Sequence, residues 1–284
     1  NSLVKNFYLT TTLPYVNAEP HIGFALEIVA GDVITRYQKD MMGKKVVFNT
    51  GTDEHGQKIY QKALENNQKP QEYVDFYAAK FEDLKNLLDI DYTHFIRTTD
   101  KHHVAAAQKF WEICNKNGYI YKKEYKTKYC VGCELEKTDS ELEDGKCPLH
   151  PTKELELREE ENYFFKFSEF QKPLLDLYKE NPEFVKPAGK MKEIKSFVEG
   201  GLQDFSISRL KEKMPWGISV PGDDGHVMYV WFDALVNYIS TLGWSSNDET
   251  EFNEFWPGVQ VAGKDNLRQQ SAMWQAMLLA AGVK

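Results

Sequence analysis

What this chain lacks narrows what it can be. No apolar run reaches the ~18 to 20 residues that span a bilayer, the most apolar stretch being Ala276 to Val283. The opening Asn1-Ser2-Leu3-Val4-Lys5-Asn6 has no signal-peptide pattern, so the expectation is a soluble cytoplasmic protein with no membrane partner. Cysteine is sparse, four in 284 residues, which excludes a disulfide-stapled secreted scaffold. Positive charge is not in excess: 35 Lys and Arg stand against 43 Asp and Glu, a formal net charge of −8. The whole-chain field therefore does not draw a polyanion, and nucleic acid would need a local patch. Internal repeats and low-complexity tracts are also missing.

What is present is the material of a globular chain. With 42% hydrophobic and 27% charged residues, the length suits about two domains of ~150 residues. Phe7 to Thr12 has a strand pattern, Leu13 to Pro20 is a turn-rich loop, and a helical pattern runs from about His21 to Met42, with Gly43 as its stop. Within that helix Ile22, Leu26, Val29, Val33 and Tyr37 recur at three- and four-residue spacing. They are the expected packed face, with Glu27, Asp32, Arg36 and Lys39 on the wet one. A second strand, Lys45 to Asn49, runs into the polar cluster Thr50 to Gly56, and helical segments follow to about Gly118. This alternation implies an α/β fold with a doubly wound parallel sheet. Ligands in such sheets collect beyond the carboxyl ends of the strands, where both polar loops would lie.

From about Tyr119 the composition turns to Tyr, Lys and Glu, and a helical pattern returns near Phe170 to Tyr178. Buried-strand signals reappear at Val227 to Phe232 and at Gly258 to Ala262, as though the first fold resumes. The expected organisation is residues 1–116 and 211–284 as two halves of one catalytic domain, with 117–210 inserted between them.

Inside the insertion, Cys130-Val131-Gly132-Cys133 and Cys147-Pro148-Leu149-His150 form two ligand pairs of identical spacing. Three thiolates and one imidazole complete a tetrahedral zinc site, and four protein ligands leave no position for a catalytic water. One structural Zn2+ per chain is expected, stabilising a segment too small for its own core. A Cys130–Cys133 redox pair is the lesser alternative. Cys114 falls outside the pattern and fits the core beside Phe110 and Trp111. Acidic residues slightly outnumber basic ones between Lys116 and Phe170, so a structural role is favoured over RNA readout.

Pro20-His21-Ile22-Gly23 stands where a loop becomes a helix, and a helix N-terminus offers free N–H groups and a positive dipole end to an anion. Alone this string is a weak signal. It gains force from its order with Gly51-Thr52-Asp53-Glu54-His55-Gly56, the cysteine pairs, Tyr229-Val230-Trp231-Phe232-Asp233-Ala234 and Gly263-Lys264-Asp265. With these five blocks the chain resembles the methionyl-tRNA synthetase family of class I aminoacyl-tRNA synthetases over essentially its whole length. It is similar to the bacterial form with a single zinc knuckle in a connective insertion.

The resemblance implies a Rossmann-like fold. It also implies an enzyme that activates L-methionine with ATP, taken with Mg2+, and transfers it to tRNA(Met). It places His21 and Asp53 in catalytic positions, His21 stabilising charge at the α-phosphate and Asp53 holding the ammonium group. Leu13, Tyr15, Trp231, Ala234, Leu235, Tyr238, Gln270 and Trp274 fall on methionine-site positions. His21, Gly23, Phe24, Gly263, Lys264 and Asp265 fall on the ATP side, with Asp265 accepting from the ribose hydroxyls.

Three positions depart from the family pattern. Phe24 stands where a second histidine is usual, Gln270 where a histidine is usual, and Met273 where an aromatic is usual. A modified pocket is expected, since Gln270 can donate and accept and Met273 keeps apolar volume. The family's second signature, a lysine-rich loop, and its anticodon-binding domain do not occur in these 284 residues. The rival readings are a class I synthetase for another apolar amino acid and a noncatalytic synthetase-like protein that binds an amino acid or RNA.

Overall fold

The computed structural model describes residues 6–130, 132, 135–137 and 142–284. Eleven strands lie among them: β1 (Phe7–Thr11), β2 (Val46–Thr52), β3 (His94–Arg97), β4 (Ile120–Cys130), β5 (Leu135–Lys137), β6 (Glu156–Phe165), β7 (Phe205–Ser206), β8 (Ser208–Leu210), β9 (Ser219–Val220), β10 (Asp223–Met228) and β11 (Val259–Val261). The α-helices are α1 (Ile22–Arg36), α2 (Gln57–Glu65), α3 (Pro70–Leu87), α4 (Lys101–Lys116), α5 (Gln171–Glu180), α6 (Ala188–Glu199), α7 (Val230–Leu235), α8 (Asn237–Ser240), α9 (Thr250–Phe255) and α10 (Trp274–Ala281). None of the described helices is long and apolar enough to cross a membrane.

The first sheet has the order β11-β1-β2-β3 and is parallel throughout, with Leu9 opposite both Phe48 and Val259. Successive side chains of a strand face opposite ways, and both faces are covered here. Leu9 and Phe48 pack with Phe24 and Ile28 of α1 and with α3, while Tyr8 and Val47 pack with Leu242, Phe252 and Trp256 on the other side. Gly31 sets how closely α1 lies on the sheet, since a Cβ there would meet the Phe48 ring at 3.1 Å and Leu9 at 3.2 Å.

The expected packed stripe of α1 is on the wrong face. Ile22, Leu26 and Val33 are 88%, 72% and 61% exposed, whereas Phe24, Ile28, Gly31, Asp32 and Thr35 are buried. The helix has apolar residues on two faces, so periodicity alone could not choose between them. Asp32 is tolerated inside because it accepts from the Asp91 backbone N–H and from Arg36 Nε, each at 2.7 Å. After Arg36 the helix widens into a π turn over Tyr37–Met41, and Gly43 ends it at φ +63°. Strand β3 interrupts the stretch expected to be wholly helical before Gly118.

Residues Val230 to Phe232 also differ from expectation. They open helix α7 and are not a strand, and β10 does not join the parallel sheet. It pairs antiparallel with β8 and β9 in a separate three-stranded sheet. A third sheet, β5-β4-β6-β7, is built on the long β4–β6 hairpin pairing from Ile120 opposite Phe165 to Tyr129 opposite Glu156. Asp223 of β10 ties this hairpin down, accepting from Tyr163 Oη at 2.8 Å and pairing with Lys122 Nζ at 3.0 Å. Helices α5 and α6 share one core with α4 and α10.

Candidate active site

The parallel sheet changes direction of winding between β1 and β11, and a crevice must open beyond the strand ends there. The loops after β1 and β2 are locked together at that point: Val16 N–H donates to Asp53 O at 3.1 Å and Asp53 N–H to Pro14 O at 2.9 Å. A cavity of about 1090 Å³ lies over them. Leu13, Tyr15, His21, Gly23, Phe24, Asp53, Trp231, Ala234, Leu235, Tyr238, Gly263, Asp265 and Gln270 all line it. Residues far apart in the sequence thus meet at one wall.

Three expected residues stand apart. Trp274 is fully buried behind Tyr238, with ring centroids 5.8 Å apart, and stacks on Phe110 without lining the cavity. Lys264 is exposed, outside the lining. Met273 is partly buried against the core that contains Trp274. Phe24 reaches the lining but its ring meets Phe81 edge-on at 5.4 Å, so this position contributes an apolar wall.

The floor is buried and polar. Asp53 is 6% exposed and its Oδ1 has no hydrogen-bond partner. Burial pushes its carboxyl well above the ordinary range, Asp233 and Glu54 push it further, and the His55 backbone N–H pulls it back in part. Gln270 is equally buried, with Oε1 unpartnered, and lines the same cavity as Tyr238. A buried polar group without a partner costs about 1 to 3 kcal/mol, so these atoms are placed for a ligand to satisfy. Tyr15 is held against Gly56, where φ is +108° and any Cβ would overlap the Tyr15 hydroxyl.

The three residues Asp53-Glu54-His55 go three ways. Only Asp53 enters the cavity. Glu54 is fully buried and accepts from Arg97 Nε and Nη2 at 2.8 Å each, and from Thr99 Oγ1 at 2.7 Å. His55 turns away toward Asp233.

At the other end of the cavity His21 is the N-cap of α1, its Nδ1 accepting from the Gly23 N–H at 3.1 Å. That bond fixes the ring at the positive end of a fifteen-residue helix and leaves Nε2 as the atom that can meet an anion. Glu27, expected on the wet face, instead joins the site. Its carboxylate accepts from the Thr12 backbone N–H and hydroxyl and, at 2.9 Å, from the Gly263 N–H. It ties the end of β1 to the loop after β11, and burial raises its pKa despite those bonds. Nothing in helical periodicity marks such a latch. Lys126, Lys128 and Lys137 of the β4–β5 hairpin also line the cavity.

In the hairpin beyond, Cys130, Cys147 and His150 bring their ligand atoms within 4.8 Å of one another, with Cys130 Sγ and His150 Nδ1 3.7 Å apart. Both thiols are buried, and the Gly132 backbone packs so close to the His150 ring that a Cβ would meet it at 2.5 Å. This donor set fits a thiophilic metal ion. Cys133 lies outside the described residues.

A parallel α/β sheet with its cavity at the switch point, a helix N-terminus at one end and a bare carboxylate at the other is a doubly wound fold of the Rossmann-like class. The model for the family of tRNA synthetases class I (M) matches residues 7–154 and 137–284, and the chain belongs to that family. It is 45% identical over 285 residues to a chloroplastic/mitochondrial methionine–tRNA ligase of Arabidopsis thaliana, covering 99% of this chain and 46% of that protein. A methionine–tRNA ligase of Streptomyces coelicolor is 45% identical over 288 residues, covering 98% of this chain and 53% of the other. Among solved structures, Mycobacterium tuberculosis methionyl-tRNA synthetase in complex with methionyl-adenylate superimposes with a TM-score of 0.88 at 37% identity, over 99% of this chain and 55% of that one. The chain thus spans about half the length of the curated relatives it matches.

Proposed function

We propose that this chain is the catalytic portion of a cytoplasmic methionine–tRNA ligase. It binds L-methionine and ATP with Mg2+, forms methionyl-adenylate, and passes the methionyl group to tRNA(Met). The observation that carries the reading is the unpartnered Oδ1 of Asp53 on the floor of a cavity whose wall is Leu13, Ala234, Leu235, Trp231 and Tyr238. An α-ammonium satisfies the carboxylate through a charge-assisted hydrogen bond, and an unbranched thioether suits an apolar wall with aromatic faces. Trp274 supports Tyr238 from behind.

In the first step a methionine carboxylate oxygen attacks the α-phosphorus of ATP and pyrophosphate leaves. The chain needs no nucleophile of its own, and its work is to align the two reactants and to stabilise charge at phosphorus. Asp53 fixes the amino acid, the His21 ring and the α1 N-terminus face the phosphate, and Gly263 and Asp265, latched through Glu27, receive the ribose. Lys264, exposed beside them, supplies positive charge near the nucleotide. Lys126, Lys128 and Lys137 bring positive charge to the mouth, which suits the approach of a tRNA end.

Cys130, Cys133, Cys147 and His150 are the residues that would hold one structural zinc. Bound there, the ion contributes folding energy to the hairpin and no step of the reaction. The thiolates it needs fit a reducing compartment.

Tryptophan fluorescence tests the reading, since Trp231 lines the cavity. Saturable binding of methionine in preference to leucine is expected, with Asp53→Ala abolishing it. No response to methionine from a folded chain overturns the substrate assignment.

A further inference from the structure

Beneath the cavity floor lies a second carboxylate that the proposed chemistry does not use. Asp233, in α7, has no solvent exposure. His55 Nδ1 stands 3.4 Å from its Oδ2, and His103 Nε2 of α4 stands 3.5 Å from its Oδ1. His103 is fixed from its other side by Ser240 Oγ, 2.8 Å from Nδ1. These contacts are longer than ordinary hydrogen bonds and none of the four facing atoms makes one elsewhere. Burial alone would raise the Asp233 carboxyl, but the two imidazoles override it and keep it below the ordinary range.

A buried carboxylate held this way is costly, and an apolar residue of similar size would pack at less cost. Its placement gives a reason to retain it. His55 stands between the two acids: it follows Asp53 by two residues on the loop after β2, and its ring faces Asp233. The other acid near Asp53 is Glu54, which raises its carboxyl less than Asp233 does. Glu54 is paired with Arg97, and Tyr15 and Tyr238 are phenols whose ionisation burial suppresses. Asp233 is the acid whose charge Asp53 feels most.

We propose that Asp233 is a positioning residue for amino-acid recognition: through His55 it sets a second negative charge beneath Asp53, so that the subsite selects a full cation over a neutral hydrogen-bond donor. This rests on the amino-acid site proposed above. Below the point where Asp53 ionises, the empty site holds one proton on Asp53. An incoming ammonium keeps its own three protons, and the Asp53 proton leaves to solvent. The same repulsion that disfavours two bare carboxylates is relieved when the ammonium arrives.

Two measurements on the full 284-residue chain test this. The first is calorimetric titration with methionine between about pH 5 and pH 8, in buffers of different ionisation heat. The wild type is expected to release protons on binding at the acidic end, and its affinity to fall there. In Asp233→Asn the acidic fall moves to lower pH by about half a unit or more, with less proton release. A purely structural Asp233 would lower stability without moving that profile. The second is carboxyl 13C NMR titration of Asp53 with no ligand present, expected to show Asp53 ionising at lower pH in Asp233→Asn than in the wild type. An unmoved Asp53 titration in a folded variant overturns the inference. Should the variant not fold, methionine binding by the wild type without proton release at the acidic end overturns it instead. Absence of methionine binding by the wild type overturns the substrate reading alone, and the NMR titration still decides the link between the two acids.

Discussion

Tyr8 Oη donates to the backbone carbonyl of Tyr238 at 2.7 Å, a fully buried bond between residues 230 positions apart. It ties the central strand β1 to the helix that forms the wall of the cavity. Tyr8→Phe keeps the ring and strands that carbonyl, so a loss of about 1 to 2 kcal/mol in urea unfolding is expected. Methionine affinity should weaken with it, because Tyr238 loses its anchor. Unchanged affinity would separate the wall from the strand.

The two faces of α1 make opposite forecasts. Ile28→Ala removes a side chain that is 1% exposed between helix and sheet, and should cost about 2 to 4 kcal/mol. Leu26→Ala, on the face that sequence periodicity favours but which is 72% exposed, should change stability by no more than about 0.5 kcal/mol. Denaturant midpoints for the pair decide which face carries the packing.

Asp53 is held above the ordinary carboxylate range by burial and by Asp233 and Glu54. The folded chain therefore binds this proton more tightly than the unfolded chain does. Its contribution is favourable at low pH and is lost as pH rises through the folded value, leaving the ligand-free protein penalised at neutral pH. Asp53→Asn should raise ligand-free stability by about 1 kcal/mol at neutral pH, with the gain vanishing in acid, while methionine affinity falls about tenfold or more. Thermal melts across pH, with and without methionine, test both halves.

Chelation of a zinc-loaded sample, or Cys147→Ser, should release one metal ion per chain as counted by elemental analysis. Amide exchange should then rise in β4, β5 and the Cys147–His150 turn, while β1, β2 and β3 stay protected. Retention of metal by Cys147→Ser would count against the ligand set.

Much of the fold was legible from the sequence because it follows from local rules. Strands β1, β2 and β11 are short apolar runs ending at polar loops, and such runs in alternation with helices leave little choice but a parallel sheet. Asp53, Tyr15, Trp231 and Tyr238 are singled out by the family resemblance, and they line one cavity. What escaped depends on contacts between distant segments. Glu27 looks like a wet-face residue until Thr12 and Gly263 arrive to use it. His103 is an ordinary helix residue in sequence, and its neighbours Asp233 and Ser240 lie more than a hundred positions on. Val230-Trp231-Phe232 has strand composition, yet those residues open α7 and place Phe232 in the core against Trp111 and Phe110. Tertiary packing overrode local preference there.

Strand β11 lies beside β1, yet it is separated from it by nearly the whole sequence. As the chain emerges from a ribosome, β1 must wait for that partner while the intervening sheets form. The Gly263 loop and its latch to Glu27 can exist only after β11 has docked. Loop closure over such a span is slow, so the Gly263 end of the cavity should be among the last parts to mature, well after the β4–β5 hairpin. During that interval the uncovered edge of β1 is the segment most exposed to mispairing.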